Sequence, residues 1–273
     1  MINLLILGPT GTMGKLISTL ALEDPEINVV AACDISNIGD RLDNFTNIKD
    51  ANNIFISDID NIQNIIEDTK PNVVVDFTIA KATEKNCLIC AKNGVRSVIG
   101  STGLSEEFLE NLEKLIKENN APSVVSSNMA IGVNIFFKML SIMSPYLKDW
   151  DIEIIESHHN RKQDSPSGTA ITAGKIISSA IGCDFNNVAK FGRDKGINKR
   201  KVGALNEIGF HSIRAGDISG DHIILYAGAG ERIEFKHQAH NRLCFANGAI
   251  KAIKFIIKAK KNKIYTSNEV LGL

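Results

Sequence analysis

INLLILGPTGTMGKLISTLALED, residues 2–24, decides the fold. Residues 2–7 are a short continuous apolar run, the pattern of a strand buried on both faces. GPTGTMG follows, and KLISTLALED then carries apolar residues at helical spacing. NVVAACD (28–34) is a second buried strand. A strand, turn, helix and strand in that order imply two parallel strands joined by a right-handed crossover. Within the turn, Gly8 permits the sharp bend, Gly11 lets backbone amides approach a pyrophosphate, and Gly14 lets the helix pack close to the strand. The helix N-terminus turns its N–H groups and positive dipole end toward such an anion. Asp34 ends the second strand twenty residues past Gly14, where an acidic group accepts hydrogen bonds from a ribose diol.

Outward from this unit the alternation continues. NIFIS (53–57) predicts a strand, 59–69 a helix, PNVVVDFT (71–78) a strand, and 82–94 a helix closed by Gly94. VRSVIGST (95–102) is another strand, 105–120 a helix capped by Ser105, and PSVVSSN (122–128) a further strand. Residues 35–53 are polar and predict mostly loop. The pattern is that of an α/β domain with a Rossmann-type, doubly wound parallel sheet. After residue 128 it changes: a long helix (132–147), a strand (150–159), a helix (167–182), then strand-like segments at 205–216, 222–230 and 231–239, and a final helix at 247–259. Strands gathered in this way predict a C-terminal α+β domain with a mixed or antiparallel sheet.

The 273 residues suffice for two cores, and 44% are hydrophobic. Lys+Arg and Asp+Glu both number 31, so the basic excess of a nucleic-acid binder is missing. Five cysteines, an odd number in a long chain, argue against a secreted disulfide framework, and Cys87 and Cys90 read as ordinary helix residues. The N-terminus lacks a basic region ahead of its apolar run, and no apolar run reaches the ~18 residues that span a membrane. These features predict a soluble cytoplasmic protein without nucleic-acid or membrane partners.

A second constellation lies at ESHHNRKQDSPSGTA, residues 156–170. His158 and His159 end a strand, and Lys162 follows in the loop. Successive strand side chains point to opposite faces, so the two histidines need not share a role. Ser167 can cap the helix that begins at Gly168 and Thr169, whose amides and hydroxyls suit a carboxylate. Histidine, lysine and a helix N-terminus together suit an anionic substrate with a proton donor beside it. Three further strand ends, Asp76-Phe77-Thr78, Gly100-Ser101-Thr102-Gly103 and Ser126-Ser127-Asn128, fall where open α/β sheets bind ligands.

The stretch resembles the signature of the dihydrodipicolinate reductase family, roughly E-x-H-H-x-x-K-x-D-A-P-S-G-T-A. It stands here as Glu156, His158, His159, Lys162, Asp164, Pro166, Ser167, Gly168, Thr169 and Ala170, with Ser165 in place of the usual alanine. GPTGTMG, VVDFT, GSTG, NMAIGVN, RAGDISGDH and FANGA resemble the family's other motifs in the right order. The resemblance implies reduction of 4-hydroxy-tetrahydrodipicolinate, a dicarboxylate, to tetrahydrodipicolinate with NADH or NADPH, on the route to diaminopimelate and lysine. It implies catalytic roles for His158, the acid/base, and Lys162, a proton donor, and substrate contacts at His159, Ser167, Gly168, Thr169 and Thr102. It implies cofactor contacts at Gly8, Pro9, Thr10, Gly11, Thr12, Met13, Asp34, Gly100, Ser101, Thr102, Ser126, Ser127, Asn128 and Met129, and it calls for no metal.

The resemblance further implies a nucleotide domain at 1–128, to which 242–273 returns, a substrate and oligomerisation domain at 129–241, and a homotetramer. Many relatives place a basic residue beside the strand-two acid or an arginine in the glycine loop. Ile35 and Thr12 stand there in this chain, which favours NADH. Two rivals fit parts of the pattern. Another two-domain NAD-dependent dehydrogenase, for example an amino-acid dehydrogenase, would keep the glycine turn but has no need of His-His-x-x-Lys before Pro-Ser-Gly-Thr. A non-catalytic NAD-binding regulator would be expected to lose His158 or Lys162.

Overall fold

The computed structural model describes residues 1–48, 53–200 and 207–273. Parts of two predicted segments, 49–52 in the loop and 205–206 at the start of a strand, lie outside the described residues. The chain divides into two compact units, Met1–Ile131 with Arg242–Leu273, and Gly132–Asn241.

In the first unit the strands are β1 (Ile2–Leu7), β2 (Ile27–Asp34), β3 (Ile56–Asp58), β4 (Val73–Asp76), β5 (Arg96–Ile99) and β6 (Ser123–Val125). The helices between them are α1 (Thr12–Glu23), α2 (Ile62–Thr69), α3 (Ala80–Lys92) and α4 (Glu106–Asn119). The second unit follows with α5 (Ile131–Met143), β7 (Asp151–His158), α6 (Gly168–Ala180), α7 (Phe185–Val188), β8 (Ala189–Phe191), β9 (Ile208–Arg214), β10 (Asp221–Ala227) and β11 (Arg232–Gln238). The chain then returns to the first unit with α8 (Leu243–Ile256), β12 (Ile264–Tyr265) and α9 (Ser267–Leu271).

The first sheet runs β12-β6-β5-β4-β1-β2-β3, with every pairing parallel. Its strands are buried on both sides, as the continuous apolar runs require. Along β1 and β4, Leu4, Ile6, Val73 and Val75 face one cluster, while Leu5, Leu7 and Val74 face another. Helix α8 supplies Ala246, Ala249, Ala252, Ile253 and Ile256 to the first of these clusters. It lies so close that a Cβ on Gly248 would meet the Met129 carbonyl oxygen at 1.7 Å. The strand order reverses between β1 and β4, the place where doubly wound sheets open a crevice.

The second sheet is mixed, in the order β11-β10-β7-β9-β8. β10 pairs antiparallel with β11 and β7, whereas β7–β9 and β8–β9 are parallel. Period-two alternation sends Ile152, Ile154, Ile224 and Tyr226 to one face, where they pack with Ala170, Ala173 and Ile177 of α6. Gly174 lets that helix settle on Phe210, whose ring carbon a Cβ there would meet at 2.4 Å.

Most predicted elements are present with shifted ends. The long helix expected to residue 147 stops at Met143 and tightens into a 3-10 turn, Ser144–Leu147, because Pro145 cannot donate to a continuing helix. The strand expected at 53–57 begins at Ile56, and the loop of 35–53 contains a 3-10 turn, Leu42–Phe45, pinned by the fully buried Leu42.

Gly248→Ala is expected to cost ~1–3 kcal/mol by overpacking. A lowered urea midpoint would register the loss; an unchanged midpoint would mean that α8 can retreat from Met129.

Candidate functional site

In the first unit the proposed nucleotide residues gather at the carboxyl ends of the parallel strands. Gly8 follows β1 with φ +68°, in the left-handed region, and its amide donates to the Cys33 carbonyl at 2.9 Å. A Cβ on Gly14 would lie 1.9 Å from the Gly8 carbonyl oxygen, so no larger residue fits where α1 crosses the turn. The N-cap of α1 is Gly11, which brings no side chain to the first amides of the helix. A pocket of about 320 Å³ opens here, lined by Gly8, Thr10, Gly11, Asp34, Ile35 and Thr78 among others. Asp34 is already engaged: Thr10 donates to one oxygen through N–H and hydroxyl, at 3.2 and 2.7 Å, and the Ile35 amide donates to the other at 2.7 Å. These bonds fix the carboxylate at the pocket rim and leave lone pairs for a diol. The arrangement fits a dinucleotide on its own chemistry: a glycine turn without Cβ atoms, uncapped amides and an oriented acid.

The other nucleotide candidates follow β5 and β6. A pocket of about 240 Å³ is lined by Met13, Gly100, Ser126, Asn128, Arg242 and Phe245, among others. Ser101 and Ser126 turn inward. The Ser101 hydroxyl lies 2.7 Å from that of Thr83 and 3.2 Å from the Thr78 carbonyl, while that of Ser126 donates to the Asn128 carbonyl at 2.9 Å and accepts from Ser267 at 2.7 Å. Their roles toward a ligand therefore fall to backbone atoms. Beneath the first loop lies Asp76, fully buried. Burial raises its pKa, while Thr78 and Thr83 donate to it and hold it back. Thr102 is exposed and belongs to this unit.

In the second unit β7 carries Glu156 and His158 on its buried face. The two sit two residues apart, so the pleat aligns them, and His158 Nδ1 lies 2.6 Å from Glu156 Oε2. Arg214, at the end of β9, grips the same carboxylate with two bonds of 2.8 Å, and the Ser167 amide donates to it at 3.1 Å. Burial alone would raise the Glu156 pKa, but Arg214, Ser212 and His158 outweigh it and hold the group at about 2. His158 is lowered from its ordinary value, chiefly by burial and against the pull of Glu156. His222 of β10 meets His158 edge-on at 5.2 Å, and burial, then the nearby His158, lowers it to about 4.

Lys162 donates to Asp164 at 2.7 Å, and Arg161 is exposed. Ser167 caps α6, accepting from the Ala170 amide at 3.2 Å, and Gly168 and Thr169 open that helix. His159 is half-buried, and its Nδ1 is buried with no hydrogen-bond partner. His158, His159, Lys162 and the Ser167–Thr169 turn thus share one unit, while Thr102 and the nucleotide candidates occupy the other. Arg214, His222 and Arg242 are not among the site residues expected from the sequence, although RAGDISGDH holds the first two.

Comparison with known proteins agrees along the whole chain. A family model described as dihydrodipicolinate reductase, N-terminus, matches residues 2–129, and its C-terminus counterpart matches 132–271. The 4-hydroxy-tetrahydrodipicolinate reductase of Methanosarcina barkeri is 44% identical over 273 residues, covering 100% of both chains. That of Methanocaldococcus jannaschii is 44% identical, covering 100% of this chain and 98% of its own. A dipicolinate-bound dihydrodipicolinate reductase from Paenisporosarcina sp. TG-14 superposes with a TM-score of 0.78 at 27% identity, covering 98% of each chain. With both halves matched and relatives of this similarity end to end, the chain belongs to the dihydrodipicolinate reductase family.

Proposed function

We propose that this protein reduces 4-hydroxy-tetrahydrodipicolinate to tetrahydrodipicolinate with a nicotinamide nucleotide, in the synthesis of diaminopimelate and lysine. Residues 1–128 and 242–273 would form the nucleotide domain, and residues 129–241 the substrate and oligomerisation domain. The observation that carries the reading is the second unit's arrangement of His158, Lys162 and the Ser167–Thr169 helix start around β7 and α6, in a chain of this family.

The substrate is a dicarboxylate, and these residues supply what it needs. His159 and the first turn of α6 receive carboxylate oxygens through a ring N–H and backbone amides. Lys162, held by Asp164, places an ammonium where negative charge develops on the ring and its nitrogen. His158 exchanges the proton as acid/base, a role open to imidazole because both protonation states are accessible near neutrality. When bound, the nicotinamide supplies the hydride. In the first unit, Gly8 to Met13 would hold the pyrophosphate, Asp34 the ribose diol, and Gly100 to Thr102 with Ser126 to Met129 the remainder, with Thr102 also meeting substrate. NADH is the preferred cofactor, because Asp34 repels a 2′-phosphate and neither Ile35 nor Thr12 offers a charge to offset it.

The described residues include no helix long and apolar enough to cross a membrane, and the proposed setting is the cytoplasm. A homotetramer would join through the face of the mixed sheet opposite α6. Ile155 and Ile223 are paired there, Leu225 is half-buried, and Ile213 is 46% exposed.

Three measurements test these assignments. Purified protein mixed with the condensation product of pyruvate and aspartate semialdehyde should oxidise NADH with a higher kcat/KM than NADPH. Folded protein that binds NADH yet oxidises neither cofactor would contradict the reductase. Lys162→Ala should lower kcat/KM about a hundredfold or more while the NADH Kd stays within about twofold; a comparable rise in that Kd would place Lys162 at the nucleotide end. Light scattering should give the mass of four chains, falling for Ile223→Lys. A monomeric wild type at micromolar concentration would rule out the sheet-mediated tetramer.

A further inference from the structure

Glu156 is buried in the second unit with both carboxylate oxygens bonded, and one of them touches Nδ1 of His158. Oε2 meets His158 Nδ1 at 2.6 Å and Arg214 Nη1 at 2.8 Å. Oε1 meets Arg214 Nη2 at 2.8 Å and the Ser167 amide at 3.1 Å. The guanidinium and the amide can only donate, so all three bonds they make require an accepting oxygen. Glu156, 1% exposed, is therefore a carboxylate and brings no proton of its own to the short contact with the ring. The hydrogen in that contact belongs to imidazole Nδ1.

The other nitrogen has a different setting. Gly220 stands beside Nε2, and a Cβ added there would lie 3.1 Å from it. Residue 220 therefore brings no side chain against that nitrogen. His222 approaches edge-on, with the ring centroids 5.2 Å apart, and spends its own Nε2 on the Ser167 hydroxyl at 3.0 Å. The charged and titratable groups around the ring are thus Glu156 on β7, Arg214 from β9, His222 from β10, and Lys162 with Asp164 in the loop.

We propose that Glu156 is a positioning residue. With Arg214 bracing its carboxylate, it holds neutral His158 in the Nδ1–H tautomer, so that Nε2 is the one nitrogen that takes and gives the reaction's proton. The proposal rests on the acid/base role given to His158 above. Arg214 has a distinct part: by keeping the carboxylate ionised it prevents Glu156 from becoming the proton's resting place, so the proton returns to substrate or water. A neutral His158 with the opposite tautomer would direct an N–H at the substrate and an unprotonated nitrogen at a carboxylate, which repels it.

Long-range ¹H–¹⁵N spectra of the full-length protein, in the absence of substrate and above the His158 pKa, read the tautomer directly. Wild type should show a protonated Nδ1 and an unprotonated Nε2 for His158, assigned by its loss in His158→Gln. Glu156→Gln should mix or invert the tautomer, lower kcat about a hundredfold, and leave the NADH Kd within twofold. Its histidine limb in the kcat/KM profile should move to lower pH, because a neutral amide stabilises imidazolium less than a carboxylate does. Glu156→Asp, which keeps the charge, should retain the Nδ1–H tautomer and recover part of kcat; it also serves if Glu156→Gln does not fold. An Nε2–H tautomer in wild type, or an unshifted profile and tautomer in folded Glu156→Gln, would overturn the proposal. The tautomer is read without turnover, so a protein with no reductase activity but an Nδ1–H His158 would defeat the proposed reaction and spare the positioning role.

Discussion

The first unit depends on how near the opening turn of α1 comes to the backbone of Gly8. At 1.9 Å from that carbonyl oxygen, the space for a Cβ on residue 14 does not exist. Helix α1 can therefore lie directly behind the end of β1, and its uncapped amides point along the edge of the sheet where β2, β5 and β6 also deliver their loops. A helix displaced by one methyl group would move those amides, and an anion site built from backbone has no rotamers with which to compensate. The residues nearby are arranged to keep the geometry: Thr10 ties the turn to Asp34, and Asp76 ties the loop after β4 to Thr83 and Ser101.

The second unit solves a different problem, that of placing ionised groups inside a protein. A buried carboxylate is costly unless its oxygens are filled by donors. Glu156 meets that condition with Arg214, the Ser167 amide and His158. The same contacts fasten three separate pieces of chain together: the end of β7, the end of β9, and the entry to α6. Electrostatic satisfaction and mechanical anchoring are here one set of bonds. Truncating Glu156 would loosen the helix entry as well as the histidine, whereas a shape-preserving change separates the two.

Local signals made much of this legible. Gly8, Gly11, Gly14 and Asp34 fall at spacings whose meaning is set within one strand-turn-helix-strand unit, so the nucleotide end could be placed from sequence. Lys162, Ser167 and Gly168 are near neighbours of His158 in the chain, so the site proposed there could be read for the same reason. Arg214 and His222 are separated from Glu156 and Ser167 by 58 and 55 residues, and only the strand pairings β7–β9 and β7–β10 bring them together. Arg242 lines a pocket with Gly100 and Ser126, more than a hundred residues earlier in the chain, for which no local pattern exists. Short elements were lost as well: β8 has three residues and β12 two, too few for alternation to register, and their places are fixed by pairing with β9 and β6.

Helix α8 and strand β12 belong to the first unit although they follow the second unit in sequence. During synthesis the ribosome releases residues 1–131 long before Ala246, Ile253 and Ile256 exist to cover the cluster around Leu4, Ile6, Val73 and Val75. Each of those two isoleucines removes apolar surface worth ~1.5–3 kcal/mol, so the nascent first unit lacks a substantial part of its stabilisation. The second unit is one continuous segment and has all its strands as soon as residue 241 has emerged. The unit encoded later can therefore close first, and the unit encoded first must wait, with one face of its sheet covered by α1 but not yet by α8, until α8 has emerged.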